Sequence, residues 1–388
     1  MREDRIVSTL RRVIGLAMIL TGIGGIVVQL AKGGTLARPV QASAAVAQAA
    51  DSPRIENAKL ETRSAGSSLE ATIREIAVSA EKTEWVGYRV DEVAGERGVC
   101  CDNNWNDVNC GTCRLEKENG GANGTTHTDG SVKLEGTRQL IVLYRLEAKQ
   151  VVKIRVASDD CTLDAGGLAL VWLTGVKAPE SVALIATYVR RADFEGHGEH
   201  KIGNGALTAI ALHADASADR ALESFLTPEQ REELRRQAAF WMGAARGKAG
   251  LSALQRMAKS DPSSDVRAHV AFALSVSPEG GALEEIVRIA HEDTSSHVRG
   301  QALFWLAQKA GKKAVGTITG AIDNDPDTEV KKKAVFALSQ LPKDEGVPKL
   351  IEVAQTNHNR EVRKQAMFWL GQSNDPRALQ FFEKVLTQ

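Results

Sequence analysis

Cys100, Cys101, Cys110 and Cys113 crowd into one short stretch of this 388-residue chain, and Cys161 stands apart. Thiols so placed can do three kinds of chemistry. They can close disulfides, which would tie down a small domain around a long loop; the odd count then leaves one cysteine free or paired with another chain. The "CGTC" at 110–113 could hold zinc together with the vicinal pair. The same motif could cycle between dithiol and disulfide, although redox pairs of that kind open a helix after a strand, and this one sits among Asn and Gly. A second candidate is the loop "FEGHGEHKIG", where His197, Glu199 and His200 carry metal-binding side chains. Donors so close together on a Gly-rich loop are poorly preorganised, so a solvated loop is the simpler reading. No cofactor is expected from these residues.

The surrounding chain sets the context for that chemistry. Arg2, Arg5, Arg11 and Arg12 precede an apolar run from Val13 to Ala31, the pattern of an export signal with its positive end in the cytoplasm. Residues 13–31 are long enough to span a bilayer, and small-residue cleavage triplets follow at 42–44 and 47–49, so both a cleaved signal and a retained anchor fit. The expected location is outside the cytoplasm, either periplasmic or secreted, or held at the inner membrane. Lys+Arg and Asp+Glu balance at 49 each, which argues against nucleic acid as an obligate partner.

"EWVGYRV", "RQLIVLYRL" and "QVVKIRVAS" read as strands, and the short "EAK" between the last two predicts a hairpin. Further on, one phrase returns: "ELRRQAAFWMGAARG", "HVRGQALFWLAQKAG" and "EVRKQAMFWLGQ", with "DVRAHVAFALSVS" and "EVKKKAVFALSQL" between them. Leu234, Val266, Val298, Val330 and Val362 mark the register, each 32 residues after the last. A fixed period of this length means a stacked array. A second apolar segment follows in each unit after a Gly- or Pro-bearing turn, so a unit is helix, turn, helix. Extending the frame backwards through Ala209 to Trp172 predicts about seven helix pairs. The position reading Trp172, Ala209, Trp241, Ala273, Trp305, Ala337, Trp369 alternates large with small, and Trp172, Trp241, Trp305 and Trp369 are expected in the core.

Asp/Glu-Val-Arg/Lys, then Ala, then an apolar pair, resembles the HEAT repeat, in the short form of phycobilin-lyase subunits. The resemblance implies a HEAT-like solenoid; with the strand-like segments that precede it, the expected fold is mainly α, a solenoid preceded by a small β-rich domain. It also implies a hydrogen-bonded ladder near the first helices. The matching residues are Asp265 with Arg267, Glu329 with Lys331, and Glu361 with Arg363, while Arg299 follows His297. Deoxyhypusine hydroxylase, a similar array, holds iron with His-Glu pairs just after that Arg. Here those positions read Ala268-His269, Gly300-Gln301, Lys332-Lys333 and Lys364-Gln365, and the lone His291-Glu292 pair falls elsewhere.

The expected organisation is 1–36 signal or anchor, 37–80 Ala/Ser-rich linker with a short helix, 81–160 β-rich cysteine domain, and 161–388 solenoid. The expected function is a non-enzymatic, extracytoplasmic binding or scaffolding protein. Its partner would be another protein or peptide, met on a face lined by second helices. The alternative is a metal-dependent or redox enzyme using the cysteine cluster or the His197–His200 loop.

Overall fold

The structure is a computed structural model that describes residues 53–94, 112–116, 139–159, 161–192 and 202–387. Residues 13–31, Cys100, Cys101, Cys110, His197, Glu199 and His200 lie outside the described residues. The main sheet takes its strands from a wide span of sequence. These are β2 (Lys59–Ser64), β3 (Glu84–Asp91), β5 (Gln139–Glu147), β6 (Gln150–Ser158) and β8 (Ala169–Thr174), in the order β2-β8-β3-β5-β6. β2, β8 and β3 run parallel, and β3-β5-β6 is an antiparallel meander. β5 and β6 form the expected hairpin. Its turn residues Ala148 and Lys149 both have positive φ, the twist a two-residue connection demands.

The central strands β8, β3 and β5 are buried on both faces, which is why they are almost continuously apolar rather than alternating, whereas the edge strand β2 is exposed and polar. On one face Val86, Tyr88, Val142, Tyr144, Val171 and Leu173 meet helices α1 (Leu69–Ser79) and α2 (Ala178–Arg191). On the other, Trp85, Ile141, Leu143, Leu170 and Trp172 meet a small parallel sheet of β1 (Ile55–Glu56), β7 (Thr162–Asp164) and β4 (Thr112–Arg114). Cys113 on β4 and Cys161 beside β7 are buried in this second cluster, and neither is a free thiol: both are disulfide-bonded.

Two expectations are corrected here. Trp172 does not open a helix pair. It lies on β8 and packs across Gly87, where a Cβ would come within 3.2 Å of the indole. The offsets that placed it in the repeat frame are real, because Val182, Ile185 and Val189 do form the buried face of α2. The element before α2 is nevertheless a strand, ended by Gly175 at φ +74. The β region therefore runs past residue 161. It also reaches back into 37–80, where β1, β2 and α1 are structured.

Six helix pairs follow among the described residues. They are α3 (Ile202–Leu212) with α4 (Ala216–Ser224), α5 (Glu232–Ala245) with α6 (Gly247–Ser260), α7 (Ser264–Val276) with α8 (Gly281–Glu292), α9 (Ser296–Ala310) with α10 (Val315–Asn324), α11 (Thr328–Ser339) with α12 (Lys343–Thr356), and α13 (Arg360–Gln372) with α14 (Pro376–Leu386). Three of the first helices start on side-chain caps: Ser263, Asp327 and Asn359 accept backbone N–H bonds at α7, α11 and α13. The chain is mostly helical, an α-solenoid behind a small sheet-containing region, as expected.

Sheet and array share one core. Gly205 of α3 lies so close to β6 that a Cβ would fall 2.1 Å from the Ile154 carbonyl oxygen. A buried chain of hydroxyls crosses the junction. His213 Nδ1 is 2.6 Å from the Ala209 carbonyl, which can only accept, so Nδ1 carries the proton. In the neutral ring Nε2 then accepts from Ser181 Oγ at 2.8 Å, Ser181 accepts from Tyr88 at 2.6 Å, and Tyr88 accepts from Tyr144 at 2.7 Å. Burial, opposed by the bond to Ala209 and reinforced by the Arg246 charge, lowers His213 to about 4. Protonation then favours the unfolded chain, so stability is full above the ordinary His pKa near 6.5 and falls as pH drops from there towards 4. The loss is expected to be about 3 kcal/mol from this side chain. Urea unfolding across that pH range should show the decline in the wild type and a shallower one in His213→Gln.

Candidate functional site

Three features of the array could do something beyond holding the fold. The first is the ladder. Three consecutive first helices, α5, α7 and α9, carry an Arg on their opening turns whose guanidinium makes a two-bond contact with a carboxylate 26 residues ahead. Arg235 holds Asp261 at 2.9 and 3.1 Å, Arg267 holds Asp293 at 2.9 and 3.0 Å, and Arg299 holds Asp325 at 2.8 and 3.0 Å. The same Arg donates through Nη1 to the carbonyl six residues behind, Asp261 for Arg267 and Asp293 for Arg299. Asp261 and Asp293 are thus each gripped by the side chain from one unit and by the backbone from the next. The Arg267 bond and the Ser295 N–H lower the Asp293 pKa against the burial that would raise it.

The expected ladder is corrected in its acids. Arg267 and Arg299 are rungs, but Asp265, Glu329 and Glu361 are not. Those acids sit on exposed first turns. Asp265 faces His297 at 3.6 Å, Glu329 pairs with Lys332 and Glu361 with Lys364. A side chain two residues before the Arg points away from the turn the Arg reaches over. Arg235 has the same acid two residues before it, Glu233, but its unit reads "ELRRQ", with Leu234 where the others have Val. The ladder stops at Lys331, which bonds the Asp323 carbonyl and would face neutral Asn357. Among the described residues Arg363 retains only the backbone contacts, to Asn357 and His358.

The second feature is an aromatic row on the first helices. Phe240, Phe272, Phe304, Phe336 and Phe368 recur at the 32-residue period, one residue before the alternating Trp/Ala position. Ring centroids link them without a break: Trp241–Phe240 5.2 Å, Phe240–Phe272 5.8 Å, Phe272–Trp305 4.6 Å, Trp305–Phe304 4.9 Å, Phe304–Phe336 5.7 Å, Phe336–Trp369 4.8 Å and Trp369–Phe368 5.0 Å. Trp241 is buried, as expected, but Trp305 and Trp369 are only half-buried and form part of this row's wall. Phe368, at its end, is 54% exposed. A 300 Å³ recess opens beside the row between α5, α7 and α9, lined by Arg236, Asp265, His269, Phe272, His297 and Trp305. Burial, aided by the Arg236 charge, lowers His269 to about 4, and its Nε2 has no hydrogen-bond partner among the described residues. The second helices are different. Their charges pair among themselves, Arg288 with Glu285 and Glu292, and Lys349 with Glu352.

The third feature is the Ser181–His213 contact, which has the spacing of an activated nucleophile. Both residues are fully buried, so no substrate reaches them. Disulfide-bonded Cys113 offers no thiolate to a metal. Among the described residues no group of His, Cys, Asp and Glu has the arrangement of a metal site.

These helix pairs, stacked at a constant period and bound by a ladder of turns, define an α-solenoid repeat protein. The repeats are HEAT repeats: that family matches residues 218–307, 283–367 and 317–388. No curated protein matches the sequence. Among solved structures the chain is similar to human deoxyhypusine hydroxylase, at 15% identity over 53% of this chain and 90% of that one, with a TM-score of 0.28. It is also similar to the CpcE–CpcF complex of phycocyanin lyase from Nostoc (18% identity, 52% and 79% covered, TM-score 0.28) and to Kap121p (13%, 54% and 27%, TM-score 0.33). The likeness is one of repeat architecture. It corrects the expectation of a non-enzymatic scaffold, because two of the three similar arrays are by name a hydroxylase and a lyase. HEAT arrays are not confined to scaffolding, and that exclusion of catalysis falls.

Arg299→Ala should cost about 3–5 kcal/mol, since it strands a buried carboxylate. Lys331→Arg combined with Asn357→Asp should restore a rung and show favourable coupling of about 1 kcal/mol in a double-mutant cycle by urea unfolding.

Proposed function

We propose that this chain recognises another protein with the aromatic row of its first helices, outside the cytoplasm. HEAT repeats generally mediate protein interaction. The observation that carries the reading is the unbroken, partly exposed row from Phe240 to Phe368, because aromatic side chains with one face open are the usual anchors of a protein interface. The self-paired charges of the second helices support the choice of face, since they leave no field of one sign to attract a partner there. Recognition of a protein is common to a binding module and to an enzyme that acts on a protein, and the row serves either. The extracytoplasmic placement is supported by the basic residues before the apolar run 13–31 and by cysteines in disulfide linkage.

Phe336→Arg and Phe368→Arg, each checked for an unchanged unfolding transition, should weaken capture of the partner from envelope extract by about tenfold or more. Lys349→Ala on the second-helix face should leave capture intact. Retention by both Phe variants with loss in Lys349→Ala would move the docking surface to the other face and sink the reading.

A further inference from the structure

Two of the alternating units hold a cation at the end of a first helix, and the third does not. At the C-terminus of α3, Arg246 Nη1 donates to the carbonyls of Ala211 at 3.0 Å and His213 at 2.6 Å. Sixty-four residues after those carbonyls, at the C-terminus of α7, Ser275 at 3.1 Å and Ser277 at 2.7 Å accept from Lys309 Nζ, which stands one position earlier in the repeat than Arg246. These are helix-end carbonyls that the helix itself leaves unpaired, at the negative end of its dipole. Another sixty-four residues on stand Ser339 and Leu341, at the C-terminus of α11, and the residue in the place of Lys309 is Ser373. Its hydroxyl is too short to reach across and bonds the Leu370 carbonyl of its own helix. Neither the Ser339 nor the Leu341 carbonyl receives a hydrogen bond from a described residue.

Where the missing side chain would lie there is a cavity of 230 Å³. Its walls include Leu338, Leu341, Val347, Leu350 and Trp369, with Ser339 and Ser373 beside them. The shape of the demand is that of a lysine side chain: an apolar tunnel for the stem and carbonyls for the ammonium. The Trp369 Nε1–H also lines the cavity, buried and without an acceptor among the described residues; an ammonium does not supply one, so this group reports on the cavity rather than binding the amine. Lys343 is at the rim, yet its ammonium makes no bond to these carbonyls; its own carbonyl is taken by Arg377.

We propose that this cavity binds the lysine side chain of a partner protein, which supplies in trans what Lys309 supplies within the chain. The assignment deepens the docking reading and rests on it for the source of the lysine. The cavity lies between α11, α12 and α13, next to Phe336 and Trp369, so a partner on the aromatic row can deliver a side chain into it.

The test is the indole N–H resonance of Trp369, assigned by its loss in Trp369→Phe, titrated with Nα-acetyl-lysine amide and separately with the norleucine analogue. The expected result is a saturable shift at millimolar concentrations with the lysine compound and none with norleucine. Ser373→Lys should fill the cavity from within, raise the melting temperature and abolish the shift. No response, an equal response to norleucine, or a response that survives in Ser373→Lys overturns the proposal. Should Ser373→Lys fail to fold, Lys309→Ala decides: it empties the equivalent place on α7, and the Trp305 resonance should then respond to the lysine compound alone; silence there overturns the proposal. A partner lost in Phe336→Arg, with no amine response in the wild type, would leave the docking reading standing and refute this one.

Discussion

A guanidinium that must be paired on both sides organises this array. Arg267 cannot sit where it does unless Asp293 meets it ahead and the Asp261 carbonyl meets it behind, because an unpaired charge at that depth costs several kcal/mol. The same holds for Arg235 and Arg299, so neighbouring units are ordered together and the turn between them has one geometry. Where successive junctions have the same two contacts, the helix pairs between them must be of equal length to reach the next one. Stability in such an array is a sum over units and their interfaces. It is therefore lower where an interface lacks its rung. Lys331 and Asn357 mark that place. The cavity at Trp369 and the exposed Phe368, Leu379 and Leu386 belong to the same end of the array.

At the other end the array is not free. Arg246 ties the start of α6 to the carbonyls after α3, and His213 ties the same turn through Ser181 to Tyr88 and Tyr144 in the sheet. A buried polar chain in which each donor is dictated by the next acceptor admits one arrangement while the imidazole is neutral. That arrangement sets the sheet against the first helix pair. The sheet thus does for the solenoid what a capping repeat does elsewhere, closing an end that would otherwise expose apolar surface.

Much of this was legible, and the exceptions have physical causes. The 32-residue register was visible because burial of a helix face forces periodicity into sequence. Trp172 was misplaced because strand β8 and a first helix both need an apolar run before a turn, and α2 satisfied the helical offsets by itself. Sequence alone cannot separate a short buried strand from a helix segment. The ladder was read one turn off. Its arginines stand in the repeated phrase, but its carboxylates cap the preceding helices, and pairing across 26 residues leaves no local pattern. The Phe row was in plain sight, recurring without exception at 240, 272, 304, 336 and 368. It was absorbed into an apolar pair because composition does not show which of two adjacent aromatics faces outward.

The alternation of Trp and Ala gives the array a second period, and this bears on where function can reside. A unit bearing Ala at the key position receives the Trp of the following unit, as Phe272 shows by packing 4.6 Å from Trp305. Two units together are therefore the closed packing module, with a repeat of 64 residues. Features tied to single helices, such as the ladder and the Phe row, recur at 32 and are shared by all units. Features that depend on a large residue meeting a small one recur at 64 and occur only a few times. The Arg246, Lys309 and Ser373 positions are of this second kind, each at the end of a Trp-bearing helix that faces an Ala-bearing one. A substitution at such a place leaves the ladder and the aromatic row untouched, so one module can differ from its neighbours without loss of the fold. The module with Ser373 differs in that way: it keeps the Trp wall and the helix-end carbonyls and omits only the cation.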